Sequence, residues 1–142
     1  MKTVKDILES KGHEVWSVAS GATVLAALEL MAEREIGAVL VLDGDRLAGI
    51  LTERDYARKV ALLGRSSKDS KVSEIMTSSI VCVAPERSVE ECMALMTEKR
   101  LRHLPVIDRK KVVGLVSIGD LVKATIADQE FMIAQLHSYI TG

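Results

Sequence analysis

The stretch 114–121, GLVSIGDL, occurs in a second form 65 residues earlier, at 49–56, as GILTERDY. Both stretches run from an apolar segment into a hydroxyl residue that is followed three positions later by an aspartate: Ser117 with Asp120, and Thr52 with Asp55. This spacing is typical of a helix start, because each side chain can accept a hydrogen bond from the backbone N–H of the other residue. The two stretches therefore predict two equivalent strand-to-helix corners.

The duplication extends well beyond these corners. At the same offset of 65 the two copies align without a gap from residue 15 onward and share ten identical residues. Upstream, Asp6-Ile7-Leu8 resembles Glu74-Ile75-Met76 at an offset of 68, which places three extra residues of the first copy near Gly12. An internal repeat of this kind indicates two copies of one structural unit.

Hydrophobic periodicity predicts a strand, a helix, two strands joined by a turn, and a second helix in each copy. The paired strands are Ala38–Leu42 with Leu47–Leu51, and Leu104–Ile107 with Val112–Val116. One copy leaves too much apolar surface to be stable alone, so we expect the copies to pack with pseudo-two-fold symmetry. The predicted fold class is α/β (α+β), with tandem β-α-β-β-α repeats and a ligand cleft along their seam.

The repeat also sets the predicted domain boundaries. Residues 1–62 form the first repeat, the polar stretch 63–71 is a linker, and residues 72–126 form the second repeat. Residues 127–142 form a C-terminal amphipathic helix with apolar side chains at helical spacing: Met132, Ile133, Leu136, Tyr139 and Ile140. The sequence leaves open whether this helix folds back on its own repeat or forms the contact of a homodimer.

Composition and charge disfavour several classes of function. The 19 basic and 20 acidic residues give a formal net charge of −1, which provides no positive field for nucleic acid or for an anionic membrane. The charged N-terminal residues do not resemble a signal peptide, so we expect a cytoplasmic protein. Cys82 and Cys92 lie in apolar surroundings and are expected to be buried free thiols. The sequence shows no metal-ligand spacing and no Cys-His or Ser-His-Asp order of a nucleophile and its base. We therefore expect a protein that is not an enzyme.

The capped corners can also bind a ligand. A helix N-terminus presents N–H groups and positive potential, and an aspartate in its first turn can accept both hydrogens of a vicinal diol. In the second copy, Arg102 and His103 stand where the first copy has Gly37 and Ala38. These basic side chains are either a solvated strand edge or a phosphate clamp beside Asp120.

Together these motifs strongly resemble those of the cystathionine β-synthase (CBS) domain pair. The resemblance rests on Gly-h-h-Thr/Ser-x-x-Asp at the end of each copy and on Arg-His-Leu-Pro-Val-h-Asp in the second, where h is apolar, and it extends from about Val4 to Ile126. It implies a nonenzymatic regulatory or sensor module with no attached enzyme, channel or transporter domain. Such modules bind AMP, ADP or ATP, sometimes NAD or S-adenosylmethionine, in the cleft between the repeats and signal through conformation or dimerisation. No cofactor is required.

The resemblance also implies roles for individual residues. The aspartate of the closing motif holds the ribose diol and the hydroxyl residue lies near the phosphate, which carries over to two pairs: Asp120 with Ser117, and Asp55 with Thr52. Arg102 and His103 match positions that contact phosphate, so the Asp120 site is expected to be the stronger one. The base is held by the opposite repeat, through Val15, Trp16, Ile36, Gly37 and Ala38 for the Asp120 site and through Val81 with Leu101 for the Asp55 site.

A second function stays open at this point. The chain can instead be a protein–protein assembly module whose outer surfaces and terminal helix bind an unidentified protein partner while the clefts are unoccupied. In both cases we expect a homodimer and neither a nucleic-acid nor a membrane partner.

Overall fold

The computed structural model describes residues 2–141, and its chain divides into two compact units. One, the continuous unit, is the segment Glu14–Val81. The other, the discontinuous unit, combines the residues up to His13 with those from Cys82 onward. Both units combine β-strands with helices packed against them, so the mixed α/β fold class is confirmed.

The elements follow in chain order. They are α1 (Val4–Lys11), β1 (Ser17–Val18), α2 (Val24–Arg34), β2 (Ala38–Asp43), β3 (Arg46–Thr52), α3 (Glu53–Tyr56), α4 (Val72–Ile75), α5 (Val89–Lys99), β4 (His103–Asp108), β5 (Lys111–Ser117) and α6 (Ile118–Thr141). A π-helical turn, Ala57–Ala61, continues α3.

The continuous unit is a three-stranded sheet with helices packed against it. β1 runs parallel to β2, which is antiparallel to β3 with Ala38 opposite Thr52. Thr23 caps α2 by accepting a hydrogen bond from the Ala26 N–H, and the helix ends at Glu35, whose φ of 54° is left-handed. The apolar face of α2 is buried against the sheet and α4, because these elements supply the core side chains: Val24, Ala27, Met31, Val39, Val41, Leu51, Val72 and Ile75.

The discontinuous unit repeats this arrangement with a shorter sheet. β4 and β5 are antiparallel with His103 opposite Ser117, and the first strand is reduced to one parallel bridge between Val83 and Val106. Ser88 caps α5 by accepting from the Glu91 N–H at 3.1 Å. Both cysteines are free thiols. Cys82 lies next to the buried Val83 and points outward, as alternation along an extended chain requires, so only Cys92 is buried. The expectation of a buried Cys82 was wrong.

Each unit takes its leading helix from the other sequence repeat. In the discontinuous unit, α1 is bound by hydrogen bonds from the Val4 and Lys5 N–H groups to the carbonyls of Arg87 and Pro85, at 2.9 and 2.8 Å. In the continuous unit, the Val72 N–H that starts α4 donates to the Ala22 carbonyl at 2.8 Å.

A glycine lets each leading helix approach its sheet. A Cβ added at Gly114 would lie 2.6 Å from Leu8 Cδ2, and one added at Gly49 would lie 2.6 Å from Met76 Sδ. Leu8 and Met76 are equivalent at the offset of 68 that the sequence shows. The two units are therefore built by the same close packing of a leading helix on a β-strand.

α6 is one helix of 24 residues, although the sequence predicts a boundary between residues 126 and 127. It contains no proline, and its only glycine is Gly119 in the first turn. In the first repeat the equivalent helix gives way to Gly64, whose φ is 68°, at the position that Gln129 occupies in α6. Within residues 2–141, no helix combines the length and the apolar character needed to cross a membrane.

Candidate functional site

Ser117 and Asp120 form a capped corner where β5 ends and α6 begins. The Ser117 N–H donates to Asp120 Oδ2 at 2.8 Å, and the Asp120 N–H donates to Ser117 Oγ at 3.2 Å. The helix cap predicted from the sequence is thus present. In the first turn of α6, the described part of the chain supplies acceptors for the N–H groups of Ile118 and Asp120 but not for that of Gly119.

Lys11, at the end of α1, also contacts this corner. Its Nζ donates to Asp120 Oδ2 at 2.8 Å and to the Leu115 carbonyl at 2.9 Å. Burial raises the pKa of Asp120, but the hydrogen bonds from Lys11 and Ser117 lower it by more. The pKa of Asp120 therefore lies below its ordinary value. Among the described residues, the hydrogen bonds to this carboxylate all end on Oδ2. The corner therefore holds an ionised aspartate with one oxygen, Oδ1, turned away from the cap.

The entry of β4 brings two more predicted residues to the same corner. His103 lies opposite Ser117 in the β4–β5 pair, and the Arg102 carbonyl accepts from the Ile118 N–H at 2.9 Å. Burial lowers the pKa of His103, Asp120 opposes this effect, and the charges of Lys11 and Arg102 lower the pKa further. Arg102 is exposed and His103 half-buried, so the corner presents a guanidinium beside an imidazole whose pKa is lowered.

The corresponding corner of the continuous unit, Thr52 with Asp55, has the same cap but a fully used carboxylate. The Thr52 N–H and Oγ1 donate to Asp55 Oδ2 at 3.0 and 3.1 Å. Thr77 Oγ1 donates to Oδ1 at 3.1 Å, and Lys59 Nζ lies 3.2 Å from the same oxygen. Asp55 is only 8% exposed. Both of its oxygens therefore serve the fold.

The structure confirms that Gly37 and Ala38 are equivalent to Arg102 and His103. Ala38 lies opposite Thr52, and the Gly37 carbonyl accepts from the Glu53 N–H at 3.1 Å. Ile36 and Gly37 line an open cavity of about 580 Å³ together with Leu28, Met31, Ala32, Glu35, Glu53 and Tyr56. The small residues thus leave space where the second repeat carries basic side chains.

Trp16 is half-buried and one face of its ring is already occupied. The guanidinium carbon of Arg34 lies 4.0 Å from the ring centroid, which is a cation–π geometry. The family resemblance implies that Trp16 helps to hold the base, by stacking on it, although a lone tryptophan in a small protein is more often a core residue. Only the face away from Arg34 is left for that contact.

The predicted site residues fall into two groups. Leu101, Arg102, His103, Ser117 and Asp120 belong to the discontinuous unit, and Val15, Trp16, Ile36, Gly37, Ala38, Thr52, Asp55 and Val81 belong to the continuous unit. The pairing of a base pocket from one repeat with an aspartate from the other stays a prediction.

Sequence reasoning missed Lys11 and Thr77, the residues that distinguish the two corners. Both come from the leading segments, and Lys11 is 109 residues away from Asp120 in the chain. The only sequence signal was the upstream similarity at an offset of 68, which does not show that the leading helices are exchanged. The described residues also hold no cluster of His, Cys, Asp and Glu suited to a metal ion.

Comparison with known proteins is consistent with the duplicated architecture. The family model for the CBS domain matches residues 3–62 and 72–127. CBSX3, a mitochondrial CBS domain-containing protein of Arabidopsis thaliana, is 41% identical over 99% of this chain and 72% of its own length. YhcV of Bacillus subtilis, also a CBS domain-containing protein, is 35% identical over 85% of this chain and 84% of its own.

Solved structures of CBS-domain proteins have the same fold as this chain. A putative signal-transduction protein with CBS domains from Burkholderia ambifaria is 57% identical, with a TM-score of 0.88 over 90% of this chain and 96% of that one. The CBS domain pair of protein MJ0100 is 23% identical, with a TM-score of 0.79 over 90% of this chain and 98% of that one, and it shares the fold. With two family matches on the two sequence repeats, this chain belongs to the CBS-domain family.

Proposed function

We propose that this protein is a nonenzymatic regulatory module that binds an adenine nucleotide at the Ser117–Asp120 corner. The observation that carries the proposal is the arrangement of the Asp120 carboxylate, whose hydrogen bonds within the described chain end on Oδ2. Oδ1 is then the acceptor for a ribose diol, which is the recognition that the family resemblance implies for this aspartate.

The surroundings of Asp120 suit the rest of a nucleotide. The first turn of α6 provides positive potential and the N–H of Gly119, and both favour a phosphate. Ser117 Oγ accepts from the Asp120 N–H, so its own hydrogen is available for a phosphate oxygen. Arg102 and His103 at the entry of β4 add one cation and one group that becomes cationic when an anion binds beside it.

The corner at Asp55 is proposed to be a structural cap. Its carboxylate accepts from Thr52 and Thr77 and pairs with Lys59, so a diol would have to displace an existing contact. The expected stoichiometry is one nucleotide per chain.

The identity of the ligand is an open choice among AMP, ADP, ATP, NAD and S-adenosylmethionine. MJ0100 was solved in complex with 5′-methylthioadenosine and S-adenosyl-L-methionine, but that likeness concerns the fold. The ligand of this chain is therefore proposed from its own basic side chains, which favour a phosphorylated adenosine over S-adenosylmethionine. We propose that its occupancy signals through conformation or dimerisation to a protein partner in the cytoplasm.

Calorimetric titration with each of the five ligands tests the proposal. We expect saturable binding of at least one phosphorylated adenosine by the wild type and its loss in Asp120→Ala. Glu74→Ala is the matched control, because the Glu74 carboxylate accepts from the Lys71 N–H in the same way at the start of α4, in the other unit. Binding that survives in Asp120→Ala, or that is lost equally in Glu74→Ala, would contradict the assignment.

A second function, protein–protein assembly with unoccupied clefts, is favoured by one observation. The last half of α6 exposes large apolar side chains that the rest of the chain does not cover. If none of the five ligands binds at millimolar concentration while the chain still self-associates, assembly is the better account.

A further inference from the structure

The C-terminal half of α6 is a helix without a cover. From Gln129 to Thr141 every residue is exposed, and the apolar ones include Ile133 at 66%, Leu136 at 61% and Ile140 at 80% exposure. An isolated helix of about 12–15 residues is marginal in water, and its stability normally comes from packing of an apolar face. This half-helix therefore needs a partner surface.

Part of the exposed apolar surface of α6 follows a heptad, beside Phe131, Met132 and Tyr139, which lie outside it. Ile126, Ile133 and Ile140 recur at intervals of seven, and so do Val122, Gln129 and Leu136, which come three residues after Gly119, Ile126 and Ile133. These are the a and d positions of a coiled coil. All five apolar members are exposed, from 40% at Val122 to 80% at Ile140. The seam, defined by these six residues, faces away from the unit that holds the first half of α6.

The choice of residues specifies the partner. β-Branched residues at a with leucine at d favour two parallel strands; this seam has isoleucine at a in positions 126, 133 and 140 and one leucine, Leu136, at d. A single polar residue in the seam, here Gln129, fixes the register. In a parallel pair in register, Gln129 meets Gln129 of the second copy, and the two amides can bond to each other. In an antiparallel pair Gln129 would face an isoleucine instead. The flanking g positions, Thr125, Met132 and Tyr139, are uncharged and create no repulsion.

We propose that α6 pairs with α6 of a second copy of this chain as a parallel, two-stranded coiled coil along the seam. The five apolar seam residues and the flanking Met132 and Tyr139 each offer on the order of 100 Å². Two copies would bury roughly 1,400 Å², within the range of about 1,200–2,000 Å² that stable interfaces use. The dimer does not depend on nucleotide binding at Asp120.

Charge argues against a membrane as the occupant. Between Gln129 and Thr141 the helix has no lysine or arginine and one acid, Glu130. Interfacial helices normally carry basic residues on their polar face. Flotation with phosphatidylcholine vesicles measures this alternative, and co-flotation of the chain would overturn the proposal.

Sedimentation equilibrium without nucleotide tests the seam. Leu136→Ser should weaken the dimer at least tenfold, whereas Phe131→Ser should leave it unchanged, because Phe131 is equally exposed, at 64% against 61%, but lies off the seam. Gln129→Leu should tighten association by removing the polar layer. A wild type that stays monomeric at about 100 μM would overturn the proposal, because its dissociation constant would then lie above that concentration. Equal effects of the two serine variants would overturn it as well.

Disulfide trapping tests the orientation. In a Cys82→Ser background, Leu136→Cys should form a covalent dimer under mild oxidation, since the same d position meets itself only in a parallel pair in register. Phe131→Cys is the matched control and should not link. Failure of Leu136→Cys to link while sedimentation shows a dimer would reject the parallel arrangement, and calorimetry on the same samples reports nucleotide binding separately.

Discussion

The two strand-to-helix corners share a sequence pattern and a cap, but their aspartates differ in how many of their carboxylate oxygens are bonded within the chain. Asp55 accepts from Thr52 and Thr77, pairs with Lys59, and has a side chain that is 11% exposed. Asp120 is bonded through Oδ2 alone within the described chain, and its side chain is 23% exposed. The difference comes from neighbouring segments, not from the motif. A matching Thr/Ser-x-x-Asp therefore predicts a cap, and its surroundings decide whether the aspartate can also bind a ligand.

Removal of each carboxylate should give the largest difference in stability between the two corners. Asp55→Ala should lower the free energy of unfolding by about 3 kcal/mol, because it removes the cap and leaves the Thr77 hydroxyl without its acceptor. Asp120→Ala should cost only about 1 kcal/mol, the usual loss of one cap. Urea unfolding of the two variants measures both values. Equal losses would show that the two carboxylates serve the fold alike.

The two glycines under the leading helices give the next largest difference. A Cβ at Gly49 would meet Met76 Sδ at 2.6 Å and the Thr77 carbonyl at 2.9 Å, whereas a Cβ at Gly114 would meet only the end of the Leu8 side chain. A backbone carbonyl paired with Ile50 cannot move as a side chain can.

Gly49→Ala should therefore cost about 2–3 kcal/mol and Gly114→Ala about 1–2 kcal/mol. Thermal unfolding of both variants measures the order. Gly21→Ala is a control for the substitution itself, since nothing lies within 4 Å of its added Cβ. A larger loss at Gly114 would mean that Leu8 is held more rigidly than the chain at Thr77.

The smallest effect is the pH dependence that arises from His103, which stands where the first repeat has Ala38. Burial lowers the pKa of His103, so the unfolded chain binds a proton more readily than the folded one. Stability is then unaffected well above the unfolded pKa of about 6.5 and decreases as pH falls below it. His103→Gln should remove this loss, of less than about 1 kcal/mol, between pH 7 and 5.

Urea midpoints at pH 7, 6 and 5 measure the effect, with His13→Gln as the control for an exposed imidazole in the same unit. Nucleotide binding should strengthen over the same interval in the wild type, because an anion at the corner favours protonated His103. A pH response that is the same in wild type and His103→Gln would assign it to another group.

Local sequence signals predicted local structure well. The caps at Thr52 and Ser117 and the two antiparallel strand pairs follow from hydroxyl positions, apolar runs and turn residues. The equivalence of Arg102 and His103 with Gly37 and Ala38 also follows from the repeat. These features depend on residues within a few positions of one another.

Long-range features were not predictable in the same way. Lys11 and Thr77 reach their aspartates only because α1 and the α4 segment are exchanged between repeats, and no pattern within one repeat encodes that exchange. α6 runs on through the predicted domain boundary between residues 126 and 127 and past the position at which the first copy has Gly64. Gln129 at that position carries no stop signal.

The exchange of leading helices sets the order in which the chain can fold during synthesis. The continuous unit is complete once Val81 has been made. α1 is translated well before Asp120, which follows Lys11 by 109 residues and is reached roughly 5–20 s later at about 5–20 residues per second. Until then the apolar face of α1, with Val4, Ile7 and Leu8, has no sheet to cover it. α1 is thus made well before the strands that it packs on, so the discontinuous unit can complete its fold only after the continuous one.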